Sequence, residues 1–404
     1  MSFLRVLPMK SSANPSLIRK INQSAILDMI RTQGPISRTE IARKLHTSLP
    51  TVMRIIENLS AQGLVREDGT YEVNGGRPRA LLVFNGESHT VVGLDLGGTR
   101  MYGTVSDLNG RIIREVTIPW ERKSAEDNFE QVCAILNDLL QTAEQGGCRL
   151  LGAAVGVPGI TNLEEGYVQW APSLNWRNFP LKIRLAERFP DLFTLVENDV
   201  NLAALGEYGF GVQAGAESLV CITVGTGIGA GIVIDRKIYH GQHHAAGEIG
   251  YLPPNTRHLG HKFHDFGALE SQASHTAMVN RAVGLLRAAN DPRGNQPLSA
   301  EDIFSAARAG ESWACQVVDT AVDSLALAIG AVVTLIDPAV IVLGGGISLH
   351  SDLFIDPILK RLEGVLPILP SLWASTLGYR ATAMGGVLKV LDATTEHITV
   401  SHPG

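Results

Sequence analysis

The sequence places an amide and a carboxylate side by side where a site could form. The stretch "TLVENDVNLAALGEYGF" predicts a strand that ends at Glu197-Asn198-Asp199 and a helix that follows at once. Asn198 and Asp199 in that place can hydrogen-bond a polyol, and the carboxylate can take a hydroxyl proton during phosphoryl transfer. The alternative interpretation is that Asp199 only caps the helix.

Two glycine-rich turns have similar flanking strands. "HTVVGLDLGGTRMYGTVSDL" predicts a strand, a turn at Gly97-Gly98 and a second strand, and "SLVCITVGTGIGAGIVI" predicts the same order later in the chain. Glycine lets the backbone approach an anion closely and point its N–H groups at it. One such turn is a weak indication, because glycine-rich hairpins are common. The repeat predicts two similar halves with a cleft between them.

Two further segments are expected at this cleft. "AAVGVPG" is a predicted strand that runs into Gly156 and Pro158, and "AVIVL" is a buried strand that runs into Gly344-Gly345-Gly346. Ligands of α/β sheets tend to lie at such strand ends.

A histidine-rich loop raises the question of a metal. His258, His261 and His264 lie three residues apart in "HLGHKFHDFGALES", and three imidazoles can hold zinc. However, a loop rich in histidine more often titrates in solvent, and both interpretations stay open. The cysteines have no paired spacing, which argues against a disulfide framework and a thiolate cluster. They are Cys133, Cys148, Cys221 and Cys315.

Residues 1–85 carry the pattern of a winged helix-turn-helix. The first predicted helix ends at Gly34-Pro35, and the second begins with a capping box formed by Ser37 and Glu40. Apolar residues of the first helix share one face: Ile18, Ile21, Ala25, Met29 and Ile30.

The third predicted helix, with Pro50 in its first turn, would be the recognition helix. Its exposed residues Ser48, Thr51 and Arg54 would meet base edges and phosphates in the major groove. Two strands around an Asp68-Gly69 hairpin turn would form the wing. Arg77 and Arg79 would reach phosphates or a narrow minor groove. The alternative is a protein–protein adaptor with a solvated basic face.

Charge separates this front part from the rest of the chain. The chain of 404 residues has a net charge of −6, yet residues 1–85 carry 12 Lys and Arg against six acids, so the remainder has a charge of −12. This asymmetry predicts a polyanion-binding module joined to a body that does not bind polyanions. No apolar run approaches the roughly 20 residues that span a bilayer. The N-terminus lacks an export signal, so we expect a cytoplasmic protein without a membrane partner.

The ordered motifs "GLDLGGTR", "GVPG", "ENDVN", "TVGTGIGAGIV", "GEIG" and "VLGGG" resemble the ROK family of bacterial repressors and sugar kinases. With a winged helix in front, the chain is similar to the repressor branch. The resemblance implies an α/β, bilobal, actin/hexokinase-like (ribonuclease H-like) ATPase fold. We expect a DNA-binding domain over 1–85 and an effector domain over 86–404. The lobes of the effector domain would be about 86–205 plus the C-terminal helix, and 206–385.

The resemblance also assigns residues. Those that match the family's sugar site, or lie beside it, are Gly156, Asn198, Asp199, Glu248 and Glu270. Asp199 also matches the catalytic base of the kinases. Those that match the phosphate loops are Asp95, Gly97, Gly98, Thr99, Thr226 and Gly227.

Some positions depart from the family pattern. The family's zinc is held by a histidine after "GE-x-G" and three cysteines, and these places are Tyr251, His261, Phe263 and Ala268 here. We therefore expect the zinc site to be lost and no cofactor to be bound, with ATP and magnesium needed only by an active kinase. Tyr251 replaces a histidine that also grips the sugar. Arg100 replaces the lysine of the kinases, which keeps the charge but changes its geometry.

The leading hypothesis is a sugar-responsive regulator, a repressor of carbohydrate-utilisation genes. Its homodimer, or a higher homo-oligomer, would bind two-fold related double-stranded operator DNA, and its cleft would bind a small sugar. One alternative is an ATP-dependent sugar kinase with Asp199 as its base and a DNA-binding appendage. Another is a scaffold that binds no sugar.

Overall fold

A computed structural model describes residues 15–71, 79–98, 100–119, 124–162, 166–263 and 267–397. The chain divides into a first unit, which runs through His89 and includes the segment from Leu391 onward, and a second unit, Thr90–Val390. The boundary predicted at 85/86 lies slightly earlier, and the sequence assigned the C-terminal helix wholly to the effector domain. One reason for the difference is that Gln23 Nε2 donates to the Thr395 carbonyl at 3.1 Å.

The first unit is a winged helix-turn-helix with a three-stranded antiparallel sheet of order β1-β3-β2. Its elements are α1 (Pro15–Gln33), β1 (Ile36–Ser37), α2 (Arg38–Lys44), α3 (Leu49–Ala61), β2 (Val65–Tyr71) and β3 (Arg79–Phe84). The predicted capping box is confirmed, because Ser37 accepts from the Glu40 amide and the Glu40 side chain accepts from the Ser37 amide. The expected apolar face of α3 is buried: Val52, Ile55, Ile56 and Leu59.

Two details of this unit differ from expectation. The predicted stripe of α1 is partly wrong, because Ile18 and Ile21 are 46% and 56% exposed. The buried side chains, which include Met29 and Ile30 of the predicted stripe, lie in the second half of α1, where the helix packs on α3 and β3. They are Ile26, Leu27, Met29 and Ile30.

The predicted hairpin turn at Asp68-Gly69 is also wrong. Strand β2 continues through both residues, and its register against β3 gains one residue between Glu67 and Thr70. Gly69 has a φ of +74°, so the Asp-Gly pair forms a bulge in the strand. The connection from β2 to β3, with Arg77, lies outside the described residues.

The first lobe of the second unit has a main sheet of order β11-β7-β4-β5-β6 and a small antiparallel sheet of order β10-β9-β8. Its elements are β4 (His89–Leu96), β5 (Arg100–Asp107), β6 (Ile112–Pro119), α4 (Ala125–Gln145), β7 (Arg149–Val157), β8 (Ile160–Asn162), β9 (Tyr167–Ala171), β10 (Trp176–Phe179), α5 (Leu181–Arg188), β11 (Thr194–Asn198) and α6 (Asp199–Phe210).

The second lobe has a sheet of order β14-β13-β12-β15-β16. The elements that complete the chain are β12 (Ser218–Val224), β13 (Ile228–Ile234), β14 (Lys237–Ile238), α7 (Glu270–Ala273), α8 (His275–Ala288), α9 (Ala300–Arg308), α10 (Ser312–Ile336), β15 (Val340–Gly345), α11 (Ile355–Leu362), β16 (Leu372–Ala374) and α12 (Ala381–His397).

The two main sheets repeat one order. In each sheet the first strand, β4 or β12, is central, and the antiparallel second and third strands extend on one side of it. Two later strands, parallel to each other, extend on the other side. Both glycine-rich turns join the first strand to the second, as the sequence repeat predicted. This duplicated α/β architecture is that of the actin/hexokinase-like fold.

Helix α10 is long and apolar enough to cross a membrane by length and composition alone. In the structure it lies in the second lobe, where Val322, Leu325 and Ile329 are buried in one core with Ile222 and Ile341 of the sheet. Helix α10 is therefore the core helix of that lobe.

Candidate functional site

Asn198 and Asp199 lie where β11 passes into α6. Asn198 Oδ1 accepts from the Asn201 amide at 2.9 Å, and Asn198 Nδ2 donates to the Gly159 carbonyl at 2.9 Å. Asn198 is thus the N-cap of α6, so the interpretation of Asp199 as only a cap does not describe the structure. Asp199 Oδ1 accepts from the Val200 amide at 2.9 Å, which fixes its carboxylate at the helix N-terminus.

Four carboxyl groups influence one another across the cleft of the second unit. Burial raises the pKa of Asp199 from 3.8 to about 6. Burial, and then the charges of Asp199 and Glu270, raise the pKa of Glu248 from 4.5 to about 7. Burial and the charge of Asp199 also raise the pKa of Asp95 well above its ordinary value, against the opposing charge of Arg100. These side chains come from both lobes and lie close enough for their charges to affect one another.

Glu270 holds the second glycine turn in place. Its Oε1 accepts from the Ile228 amide at 2.8 Å, and its Oε2 accepts from the Gly267 amide at 2.6 Å. A Cβ at Gly227 would lie 2.7 Å from Glu270 Oε1, so only glycine leaves room for this carboxylate. The structure therefore gives Glu270 a loop-positioning contact that the sequence did not predict.

Gly156 allows β7 to lie close to the start of α6. A Cβ there would be 2.4 Å from Thr382 Cγ2 and 3.3 Å from the Asp199 Cα. Any side chain at this position would displace either α12 or the Asp199 backbone.

The two repeated glycine turns meet each other. A Cβ at Gly98 would lie 3.4 Å from Thr226 Oγ1, so the turn of the first lobe faces the turn of the second. Gly97 lies between the Arg100 carbonyl and the Asp95 carboxylate, and a Cβ at Gly97 would be 3.0 Å from the first and 3.8 Å from the second. Thr99 lies outside the described residues.

The third glycine cluster joins this region through His275. The His275 amide donates to the Gly225 carbonyl at 2.9 Å, and a Cβ at Gly346 would lie 2.1 Å from the His275 ring. The arrangement brings all three glycine clusters to one end of the second-lobe sheet, as expected for an anion-binding region.

Arg100, the replacement for the kinase lysine, is exposed. Its guanidinium lies over the Tyr379 ring, 4.7 Å from the ring centroid. A cation–π contact of this kind orients the arginine side chain.

In the described part of the histidine-rich loop, the contacts of His258 are with an amide oxygen and an aromatic ring. His258 Nδ1 contacts Asn255 Oδ1 at 3.0 Å, and the His258 ring stacks on Phe263 at 6.0 Å. Among the described residues, no three His, Cys, Asp or Glu side chains are grouped so that they could hold a metal. His264 lies outside those residues. Tyr, Phe and Ala at 251, 263 and 268 do not fit the family's zinc.

Tyr251 lies on the acidic side of the cleft. Burial, and then the charges of Glu248 and Glu270, raise the pKa of its phenol. The phenol is therefore close enough to be influenced by two of the residues matched to sugar binding.

The first unit presents the start of α3 to solvent. Ser48 is the N-cap of α3, its Oγ lies 2.8 Å from Thr51 Oγ1, and Arg54 is exposed. Arg79 begins β3, but its side chain is outside the described part of the structure. Met53, which was not predicted from the sequence, is an apolar side chain that is 44% exposed on α3. Apolar side chains at such positions contact thymine methyl groups.

Comparisons with known proteins agree with this architecture. The ROK family sequence model matches residues 91–386, and the MarR family model matches residues 20–67. The chain is 29% identical over 354 residues to the xylose repressor of Caldicellulosiruptor bescii. This alignment covers 85% of this chain and 88% of that protein. The chain is also 33% identical over 317 residues to a glucokinase of Halalkalibacterium halodurans. This second alignment covers 73% of this chain and 93% of that protein.

Among solved structures, a ROK family transcriptional regulator described as a homolog of the E. coli MLC protein has a TM-score of 0.81 and 25% identity. The match covers 95% of this chain and 98% of that one. The chain thus belongs to the ROK family, and a winged helix-turn-helix of the MarR type precedes its ROK domain.

Proposed function

We propose that the protein is a sugar-responsive transcriptional regulator that represses carbohydrate-utilisation genes. The observation that carries the proposal is the presence, in one chain, of an exposed recognition helix and a cleft with the clustered carboxyl groups of Asp95, Asp199 and Glu248. A relative that aligns with 85% of this chain is named xylose repressor.

The cleft suits a small carbohydrate. With pKa values of about 6 and about 7, Asp199 and Glu248 change protonation state near neutrality. Each carboxyl can therefore accept from a sugar hydroxyl when ionised or donate to it when protonated. The residues that would contact the sugar are Gly156, Asn198, Asp199, Glu248 and Glu270, with the Tyr251 hydroxyl nearby. No resident metal is part of the proposal.

Operator binding would depend on the first unit. Ser48, Thr51 and Arg54 would contact base edges and phosphates, and Arg77 and Arg79 would contact the adjacent backbone or minor groove. A cytoplasmic homodimer, or a higher homo-oligomer, would present two recognition helices to a two-fold related site. A sugar can release this DNA only if it binds more tightly to a state of the protein that binds the operator poorly.

The test of DNA recognition is fluorescence anisotropy of the purified full chain with the DNA upstream of its own gene. We expect binding at low salt that weakens steeply as salt rises, because phosphate contacts release counterions. Arg54→Ala should weaken binding, whereas Arg188→Ala, a matched change of an exposed arginine in the second unit, should not. Absence of binding at low salt would contradict the proposal.

A second candidate function is sugar phosphorylation. It is favoured by the facing glycine turns, by a pKa of about 6 for Asp199, which suits a general base, and by the glucokinase relative. We infer that the protein is not primarily an enzyme, because Arg100 replaces the lysine of the kinases and the zinc-loop residues of the family are replaced. ATP turnover over a panel of sugars decides the matter. Turnover that is lost in Asp199→Asn but kept in the exposed-site control Glu363→Gln would establish the kinase instead.

A further inference from the structure

Glu197 is a buried charged residue next to the candidate sugar site. Its side chain is 1% exposed, and it directly precedes Asn198 and Asp199 at the end of β11. Glu197 has no assigned role in the sequence motifs or in the proposed sugar site.

Each group that contacts the Glu197 carboxylate in the structure can donate a hydrogen bond to it. Oε1 accepts from the Asn198 amide at 2.9 Å and from Asn201 Nδ2 at 3.1 Å. Oε2 lies 3.0 Å from His240 Nε2 and 3.2 Å from Lys389 Nζ. Burial by itself would raise the pKa of Glu197, but the hydrogen bond from His240 and the charge of Lys389 hold it below its ordinary value. Glu197 is therefore a buried anion, and each of its carboxylate oxygens contacts two donor groups.

The donors come from three different parts of the second unit. Asn198 and Asn201 belong to the first lobe, at the turn into α6. His240 follows β14 of the second lobe, in the segment that leads to Glu248. Lys389 lies on α12. One carboxylate thus links both walls of the cleft to the C-terminal helix.

Helix α12 is also packed against α6 at backbone distance. A Cβ at Gly206 would lie 2.1 Å from the Ala381 carbonyl, and a Cβ at Gly385 would lie 1.8 Å from the Leu202 carbonyl. Thr382 Oγ1 donates to the Asp199 carbonyl at 3.1 Å. Because the glycines leave no gap, a displacement of the α6 N-terminus must be taken up by α12.

Helix α12 extends beyond this contact. It is continuous from Ala381 to His397, and its residues from Leu391 onward group with the first unit. Lys389 is two residues before that point.

We propose that Glu197, through Lys389, is a positioning residue that transmits occupancy of the sugar cleft to α12 and so to the DNA-binding unit. The inference rests on the proposed sugar-responsive function. A sugar that draws Asn198 and Glu248 toward itself changes the distances from Glu197 to His240 and Lys389. The ion network then has different contacts in the sugar-bound and sugar-free states, which is the requirement for coupling between two sites.

The test uses the full chain and the variants Lys389→Met and Lys389→Arg. Lys360→Met is the matched control, because Lys360 is an exposed lysine on α11. The probe is the member of a panel of D-xylose, D-glucose, N-acetylglucosamine, glucose 6-phosphate and N-acetylglucosamine 6-phosphate that gives the wild type its largest thermal shift. Calorimetry gives the sugar Kd, and anisotropy gives the operator Kd with and without saturating sugar.

We expect Lys389→Met to bind the probe sugar, and the operator without sugar, within about threefold of wild type, and to lose at least about nine-tenths of the sugar-induced change in operator Kd. Lys389→Arg should restore most of that change, because it restores the charge. A Lys389→Met variant that responds like the wild type and Lys360→Met would overturn the proposal. So would a variant whose lost response is explained fully by lost sugar affinity.

The outcomes distinguish a failure of this inference from a failure of the proposed function on which it rests. If the wild type itself binds the operator but shows no sugar-induced change, the proposed sugar response fails and the coupling proposal fails with it. If Lys389→Met keeps the wild-type response, the proposed function stands, and only the coupling role of Glu197 is refuted. Glu197→Gln is a second variant for the same comparison, since it keeps the shape of the side chain.

Discussion

The substitution Glu248→Gln should stabilise the sugar-free protein at alkaline pH. The folded protein raises the pKa of Glu248 from 4.5 to about 7, so it binds this proton more tightly than the unfolded chain does. The protonated Glu248 carboxyl contributes its full stabilisation of the folded state below its ordinary pKa of 4.5. This contribution is lost as the pH rises through about 7. An ionised Glu248 therefore opposes folding above neutral pH.

The size of the effect follows from the shift. At about 1.4 kcal/mol per pKa unit, the ionised carboxyl costs the folded state on the order of 3 kcal/mol at pH 8 and under about 1 kcal/mol at pH 5. An amide at this position carries no charge at either pH. Glu248→Gln should thus raise the free energy of unfolding by up to about 3 kcal/mol at pH 8, with a much smaller gain at pH 5.

Urea unfolding at both pH values, followed by tryptophan fluorescence, measures this difference. Glu363→Gln is the matched control at an exposed glutamate of the second unit and should shift the midpoint little at either pH. A gain that is equal at pH 5 and pH 8, or a loss of stability at pH 8, would refute the account of Glu248 as a buried carboxyl beside two others. The same variant should lose sugar affinity, as expected when a binding residue is not optimised for stability.

Three further substitutions test separate parts of the structure. Asn198→Ala removes the N-cap of α6 and the bond to the Gly159 carbonyl, so it should cost roughly 1 kcal/mol or more in urea unfolding and abolish the sugar-induced thermal shift. Arg54→Ala should weaken operator binding about tenfold in anisotropy, without a change in sugar affinity. Gly385→Ala should destabilise by about 3 kcal/mol or more, because its Cβ would lie 1.8 Å from a carbonyl oxygen, whereas Gly284→Ala, with nothing within 4 Å, should not destabilise.

Local patterns were sufficient for much of the fold. The capping box of Ser37 and Glu40, and the strand-turn-strand segments around Gly97 and Gly227, formed as predicted because residues within a few positions of one another determine them. The order of the motifs then identified the family, and with it the pairing of two similar lobes.

Features that depend on distant partners were not predictable in this way. An Asp68-Gly69 pair favours a tight turn locally, but pairing of both flanks with β3 keeps β2 continuous and leaves a bulge. Glu197 was quoted within a motif, yet its partners His240 and Lys389 are far away in sequence and have no periodic relation to it. Only the fold brings these three side chains together.

We propose that a sugar in this cleft controls operator binding. The most direct measurement is the operator Kd, with and without saturating probe sugar, for the wild type and for Asp199→Asn. We expect a sugar-induced change of at least about fivefold in the wild type, and none in Asp199→Asn, which should still bind the operator in the absence of sugar. An unchanged wild-type Kd with every sugar of the panel, or an equal change in both proteins, would contradict it.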